Sequence, residues 1–239
     1  VPGEEWLLID RTHSPARTAL VFGALVASLG CPLGQSGWLA RYQRDIDAAS
    51  KAIARASTDD ERARADNDRG RGYSEKARYS RSFKLIQDAE YTRLFDLAIK
   101  DHDQAVALGP GIAQVYLGRG LTSYGRAALD QAIADFTQEM ALDPHAGRLR
   151  LAETYCRRAS VRQLAKQYEL AIADYEKAIA LQLQADSCDC QPEAALASCY
   201  LETKQFDKSW EVVRKARQSK RWIAPETIEQ LRQASGRQQ

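Results

Sequence analysis

Residues 113–144 read AQVYLGRGLTSYGRAALDQAIADFTQEMALDP, and the fold is decided there. An apolar-aromatic segment runs into a Gly-containing turn, a second amphipathic segment follows, and Asp143-Pro144 stops it, since proline does not continue a helix. Gly120 lies twelve residues before Ala132, and Phe136 comes one helical turn later. Small residues at Gly120 and Ala132 are expected to let two helices approach closely, with Tyr116 and Phe136 filling the space around the contact. One such unit cannot bury its apolar face alone, so it needs neighbours of the same kind.

The neighbours repeat it. Residues 113–144 resemble the tetratricopeptide repeat, a helix-turn-helix of about 34 residues with small residues at set places and a terminal proline. Tyr155, Ala159, Tyr168, Ala171, Tyr175 and Ala178 keep the pattern in the following stretch, with alanine at the close-contact place. A fourth copy keeps Ala197, Tyr200, Phe206, Val213 and Ala216, with Ser209 where alanine is usual. Upstream, Gly70 and Tyr73 begin a copy whose second helix carries Ala98, Ala105, Leu108 and Pro110. Gly70 and Ala98 are 28 residues apart, against twelve in the organising copy. Sixteen extra residues within 78–93 are therefore expected to leave the solenoid as a loop or a helical extension. The resemblance implies an all-α tetratricopeptide-repeat solenoid of about four helix-turn-helix units over residues 58–224, with helical caps at both ends.

The caps are read from periodicity. In residues 37–57, Trp38, Tyr42, Ile46, Ala49 and Ile53 share one face at three- and four-residue steps, and Ser57-Thr58-Asp59-Asp60 ends this helix and caps the next. A proline-initiated helix over 225–239 closes the other end. Residues 1–36 resemble a signal peptide: Thr18 to Gly30 is a thirteen-residue run without charge behind Arg11 and Arg17. Cleavage before Gly37, after Gly34-Gln35-Ser36, is one exit. Lipidation at Cys31, after Leu29-Gly30, is the other. Export to the periplasm or the outside, in an exported bacterial member of the family, is thus expected, with a cytoplasmic protein carrying a buried N-terminal helix as the alternative.

Composition narrows the function. Formal net charge is +2, with 34 Lys and Arg against 32 Asp and Glu, which argues against a nucleic-acid binder with its basic surplus. His13, His102 and His145 have no metal-ligand spacing, and no metal or cofactor is expected. His102 sits at the place of Phe136 and Tyr175, so it is expected to pack between helices. No spacing nominates a nucleophile, a phosphate loop or paired carboxylates, so no catalytic residue and no enzyme activity are expected. Export would favour a disulfide from Cys156 to Cys188 or Cys190, in the connection before the fourth copy.

The resemblance also implies a groove lined by first-helix residues that face away from the second helices. On this phasing they are Arg64, Asn67, Arg71 and Glu75, then Gln114, Leu117, Leu121 and Tyr124, then Glu153, Cys156, Arg157 and Ser160. A co-chaperone subfamily grips a peptide carboxylate there with Lys and Asn, but Gly118 and Glu153 stand at those places here. The expected function is a protein–protein interaction scaffold that binds a peptide or protein partner in this groove. The alternative is a structural or assembly subunit of a cell-envelope complex that uses its convex face or the insertion.

Overall fold

The computed structural model describes residues 34–144, 146–182 and 192–237. Within them the secondary structure is helical: α1 (Gln35–Arg55), α2 (Asp59–Ser82), α3 (Asp88–Leu108), α4 (Ala113–Gly125), α5 (Leu129–Leu142), α6 (Arg148–Leu164), α7 (Tyr168–Gln182), α8 (Pro192–Glu202), α9 (Phe206–Gln218) and α10 (Pro225–Ser235). Each helix packs on its successor, so α2–α3, α4–α5, α6–α7 and α8–α9 form pairs with α1 and α10 at the two ends. The fold is an all-α solenoid of the tetratricopeptide type. The segment before Gly34, including the leader-like run and Cys31, lies outside the described residues. So do Cys188, Cys190 and His145.

The close contact within a pair is more specific than small residue against small residue. A Cβ on Gly120 would lie 2.7 Å from the Phe136 ring and 3.2 Å from the Asp135 Cβ, so the second-helix aromatic, rather than Ala132, fills the space that glycine leaves. Gly70 stands in the same relation to His102, at 2.9 Å from its ring. Ala159 shares a core with Tyr175, and Ala197 with Val213. In the fourth pair the Ser209 hydroxyl donates to the Ala197 carbonyl at 2.8 Å, so this buried polar group has its partner.

An ion pair accompanies the contact in the first three pairs. The residue before the small one is Arg69, Arg119 or Arg158, and it bonds the residue before the aromatic or imidazole: Asp101 at 2.7 Å, Asp135 at 2.8 Å and Asp174 at 2.7 Å. Arg119 also donates to Asp103 and Arg158 to Asp130, each on the second helix of the preceding pair. These arginines therefore fasten one pair to the next, and the facing aspartates raise the guanidinium pKa of Arg158 above its ordinary value despite burial.

The turns inside the pairs share one geometry. Lys84, Ala127, Lys166 and Lys204 have φ between 54° and 61°, and the residue after each donates its N–H to a carbonyl five positions back, as in Leu85 to Ser80 and Ala128 to Ser123. This is a Schellman-type stop with a side-chain-bearing residue in the left-handed region, where glycine is usual. Gly125, the glycine in the quoted stretch, is instead the last residue of α4.

The sixteen additional residues of the first pair form a helical extension. Helix α2 has 24 residues and α3 has 21, against 13 and 14 in α4 and α5. The added height seats α1: Trp38 and Tyr42 rest on Tyr79 with ring centroids 6.3 and 5.7 Å away, and Tyr79 continues to Phe83 at 4.7 Å. Helix α2 is flanked by α1, α3 and α4, and small buried residues make room for all three: Ala63, Ala65, Gly70, Gly72, Ser74, Ala77 and Ser80. Its start is capped by Thr58, which accepts from the Glu61 N–H, while Glu61 accepts from the N–H and hydroxyl of Ser57. At the far end α10 buries Leu231 against a core of Trp210, Val213 and Ala216.

Candidate partner-binding groove

Helices α2 and α4 are first helices of successive pairs and touch each other directly. Between them lies a concavity of about 360 Å³. Arg64, Asn67, Arg71, Glu75, Gln114, Leu117 and Leu121, seven of the residues that the resemblance nominates, line it together. Asp68, Arg78 and Ile112 line it as well. One wall is the polar side of α2 and the other is the apolar side of α4. Leu121 is 41% exposed and the half-buried Leu117 lies one turn before it, so this wall offers apolar surface to a partner.

The floor explains why Gly118 is glycine. A Cβ there would collide with the Asn67 Oδ1 at 2.0 Å and with the His102 ring at 2.7 Å. Asn67 is 8% exposed, and its Oδ1 finds no hydrogen-bond partner among the described residues. His102 is fully buried and neither ring nitrogen has a partner among the described residues. Burial, helped by the charges of Arg119 and Arg71, lowers its pKa to about 4, so the imidazole is neutral at physiological pH. A neutral ring pressed between Gly70 and Gly118 acts as packing, in the slot where the next pairs hold Phe136 and Tyr175.

The remaining nominated residues lie beyond this concavity. Tyr124 and Arg157 are joined: the guanidinium donates to the Tyr124 carbonyl at 3.0 Å and sits 4.5 Å from the centre of its ring. Glu153 is half-buried on α6, and the Ser160 hydroxyl lies 3.1 Å from the Tyr175 hydroxyl. Cys156 is buried, so its side chain is part of the core of α6 rather than of an open groove face. Cys199 is buried as well, and burial, with Glu202 nearby, pushes its thiol up to about 11, which leaves it an unreactive hydrophobe.

Sequence reasoning did not include Arg78, Asp68 or Ile112 in the groove. The signal was present, because Arg64, Arg71 and Arg78 recur every seven residues and so fall on one helical face. Arg78 went unassigned because it begins the stretch expected to leave the solenoid.

No family model matches the chain, and no curated protein matches it. Solved structures do resemble it. The chain is similar to MamA at 16% identity, over 80% of this chain and 90% of that one, with a TM-score of 0.40. It is similar to TTC0263, a thermophilic TPR protein of Thermus thermophilus, at 19% identity over 92% and 97%, with a TM-score of 0.31. The TPR-like repeats of a putative kinesin light chain from Podosopora anserina match at 14% identity over 83% and 96%, with a TM-score of 0.35. At these scores the assignment of fold rests on the helix pairing described above. Among the described residues no helix is long and apolar enough to cross a membrane.

Proposed function

We propose that this protein is an interaction scaffold that binds a peptide or protein partner along the face lined by its first helices. The observation that carries this reading is the α2–α4 concavity, where exposed Leu121 and half-buried Leu117 face arginines across an open groove. Fully covering an exposed leucine is worth about 1.5–3 kcal/mol, and these two, already partly buried, would each gain a fraction of that. The scale is suitable for a specific contact, with polar groups at its edge to set orientation. The test is affinity capture of the native partner by the full chain, by a Leu121→Asp variant and by a variant altered on the outer face. Loss of partner with Leu121→Asp supports the groove, and retention overturns it.

A second reading places the contact on the extended α2–α3 pair. It is favoured by Leu85, 41% exposed, beside the half-buried Tyr79 and Phe83 at the tip of that pair. Loss of capture on Leu85→Asp with retention on Leu121→Asp selects it. We also propose export, with the mature chain beginning at Gly37 or at a lipidated Cys31, and a disulfide from Cys156 to Cys188 or Cys190. These follow from the sequence. Since α1 begins at Gln35, cleavage before Gly37 falls in its first turn. Intact-mass analysis and non-reducing peptide mapping of protein from its native host decide both.

A further inference from the structure

We infer that the groove receives an acidic amphipathic helix, whose carboxylates meet Arg64 and Arg78 and whose apolar side chains rest on Leu117 and Leu121. The inference rests on the groove being the binding face, and adds the chemistry of what binds. Helix α2 presents Arg64, Arg71 and Arg78 to the groove at seven-residue intervals, about 10.5 Å apart along an α-helix. Arg71 is held by Asp68 at 2.9 Å. Arg64 and Arg78 have no carboxylate partner among the described residues, whereas Arg62 and Arg69 on the same helix do. Arg64 and Arg78, separated by about 21 Å of helix, thus stand without a carboxylate partner among the described residues at the two ends of one groove.

The opposite wall decides the form of the partner. Leu117 and Leu121 are one turn apart on α4 and make an apolar ridge, with Ile112 continuing it at the Arg64 end. Such a ridge packs into the furrow of another helix, and a helix laid along α2 brings residues fourteen apart to the separation of Arg64 and Arg78. The lining carries three arginines against Asp68 and Glu75, so its overall field is only weakly positive. Burial and then Glu75 raise the pKa of Tyr42 on α1, and Arg78, near the same hydroxyl, opposes them. Selection therefore comes from the guanidiniums of Arg64 and Arg78 and their spacing. Asn67, between them, holds a buried acceptor with no partner among the described residues.

Two synthetic helical peptides test this, each with leucines between charged positions fourteen residues apart, one with Glu at both positions and one with Lys. Fluorescence anisotropy on the full chain at low ionic strength is expected to show the Glu peptide binding at least about tenfold tighter. The Arg64→Glu/Arg78→Glu variant should reverse the preference, with an unchanged far-UV circular dichroism spectrum, because both side chains are exposed. Absence of binding by the Glu peptide, equal binding of the two, or an unaltered preference in the variant overturns the inference. Native-partner capture separates this from the groove reading itself. Loss with Leu121→Asp but not with Arg64→Glu/Arg78→Glu leaves the groove and removes the acidic partner, and retention by both variants removes both.

Discussion

In the first three helix pairs the residue before the small one is an arginine, Arg69, Arg119 or Arg158, gripping Asp101, Asp135 or Asp174; in the fourth the two corresponding places hold Leu196 and Val212. All four are helix pairs closed by a turn with one residue in the left-handed region. A complete buried ion pair and a well-packed apolar pair of similar volume differ little in net stability, so either can occupy the slot. What differs is direction. Arg119 and Arg158 also reach Asp103 and Asp130 of the preceding pair through directional bonds, whereas Leu196 meets the preceding pair by non-directional packing in one core with Ala159 and Tyr175. The fourth pair is held by apolar contact on both sides, to the third pair through Leu196 and Tyr200 and to α10 through Trp210, Val213 and Leu231.

The comparison is most exposed to a change that leaves half an ion pair. Asp174 is 1% exposed and accepts from both Arg158 and Arg162. Asp174→Ala leaves Arg158 with Asp130 alone and takes from Arg162 the carboxylate it donates to, and is expected to destabilise by up to about 3–5 kcal/mol, less what Asp130 and solvent offset. The double change Arg158→Leu/Asp174→Val, which copies the fourth pair, should recover most of that loss in urea denaturation. A double variant no more stable than Asp174→Ala would break the equivalence of the two slots.

His102 separates the first pair from the others. Its pKa of about 4 when folded lies below the ordinary 6.5, so the unfolded chain binds the extra proton between these values. The packing contribution is complete above about pH 6.5 and declines as pH falls toward 4, by up to about 3 kcal/mol on the scale of 1.36 per unit. His102→Phe, which copies Phe136, is expected to flatten the stability profile across that window. An acid profile that stays as steep as that of the wild type would show that the imidazole is not the titrating group.

Gly120→Leu places a side chain where even a Cβ meets the Phe136 ring at 2.7 Å. Overpacking of this kind costs about 1–3 kcal/mol, and an unchanged denaturation midpoint would undo the account of the close contact that all four pairs share. The smallest effect is expected at the turns. Ala127 lies at φ 61°, where glycine has no steric cost, so Ala127→Gly should stabilise by about 0.5–1 kcal/mol, less the entropy that glycine adds to the unfolded chain. A lower melting temperature would mean that the unfolded-state term dominates there.

The repeat phasing was legible because it depends on local rules. Small residues twelve apart, an aromatic one turn later and a proline stop are spacing on helices, and spacing is present in the chain before it folds. The place of His102 followed from the same phasing, and seven of the nominated residues line one concavity between α2 and α4. The extension of α2 and α3 reads equally as loop or helix because its residues carry no repeat pattern, and only the need of Trp38 and Tyr42 for an aromatic seat at Tyr79 and Phe83 gives that height a role. The left-handed residues were not legible, since Lys166 and Lys204 have no intrinsic preference for φ above zero and are held there by the hydrogen bonds that close the turn.

By itself the sequence determined the period and the helix pairs, because helical geometry converts spacing directly into shared faces; that Phe136 rather than Ala132 meets Gly120 was decided by the docking of the two helices. The ion pairs, the stacking of α1 on α2 and the location of the groove between α2 and α4 were decided by the tertiary structure. Arg119 and Asp135 are sixteen residues apart and Arg69 and Asp101 are thirty-two, and no local rule joins such positions. They meet because docked helices exclude water from the space between them, and a charge carried into that space must find its opposite there.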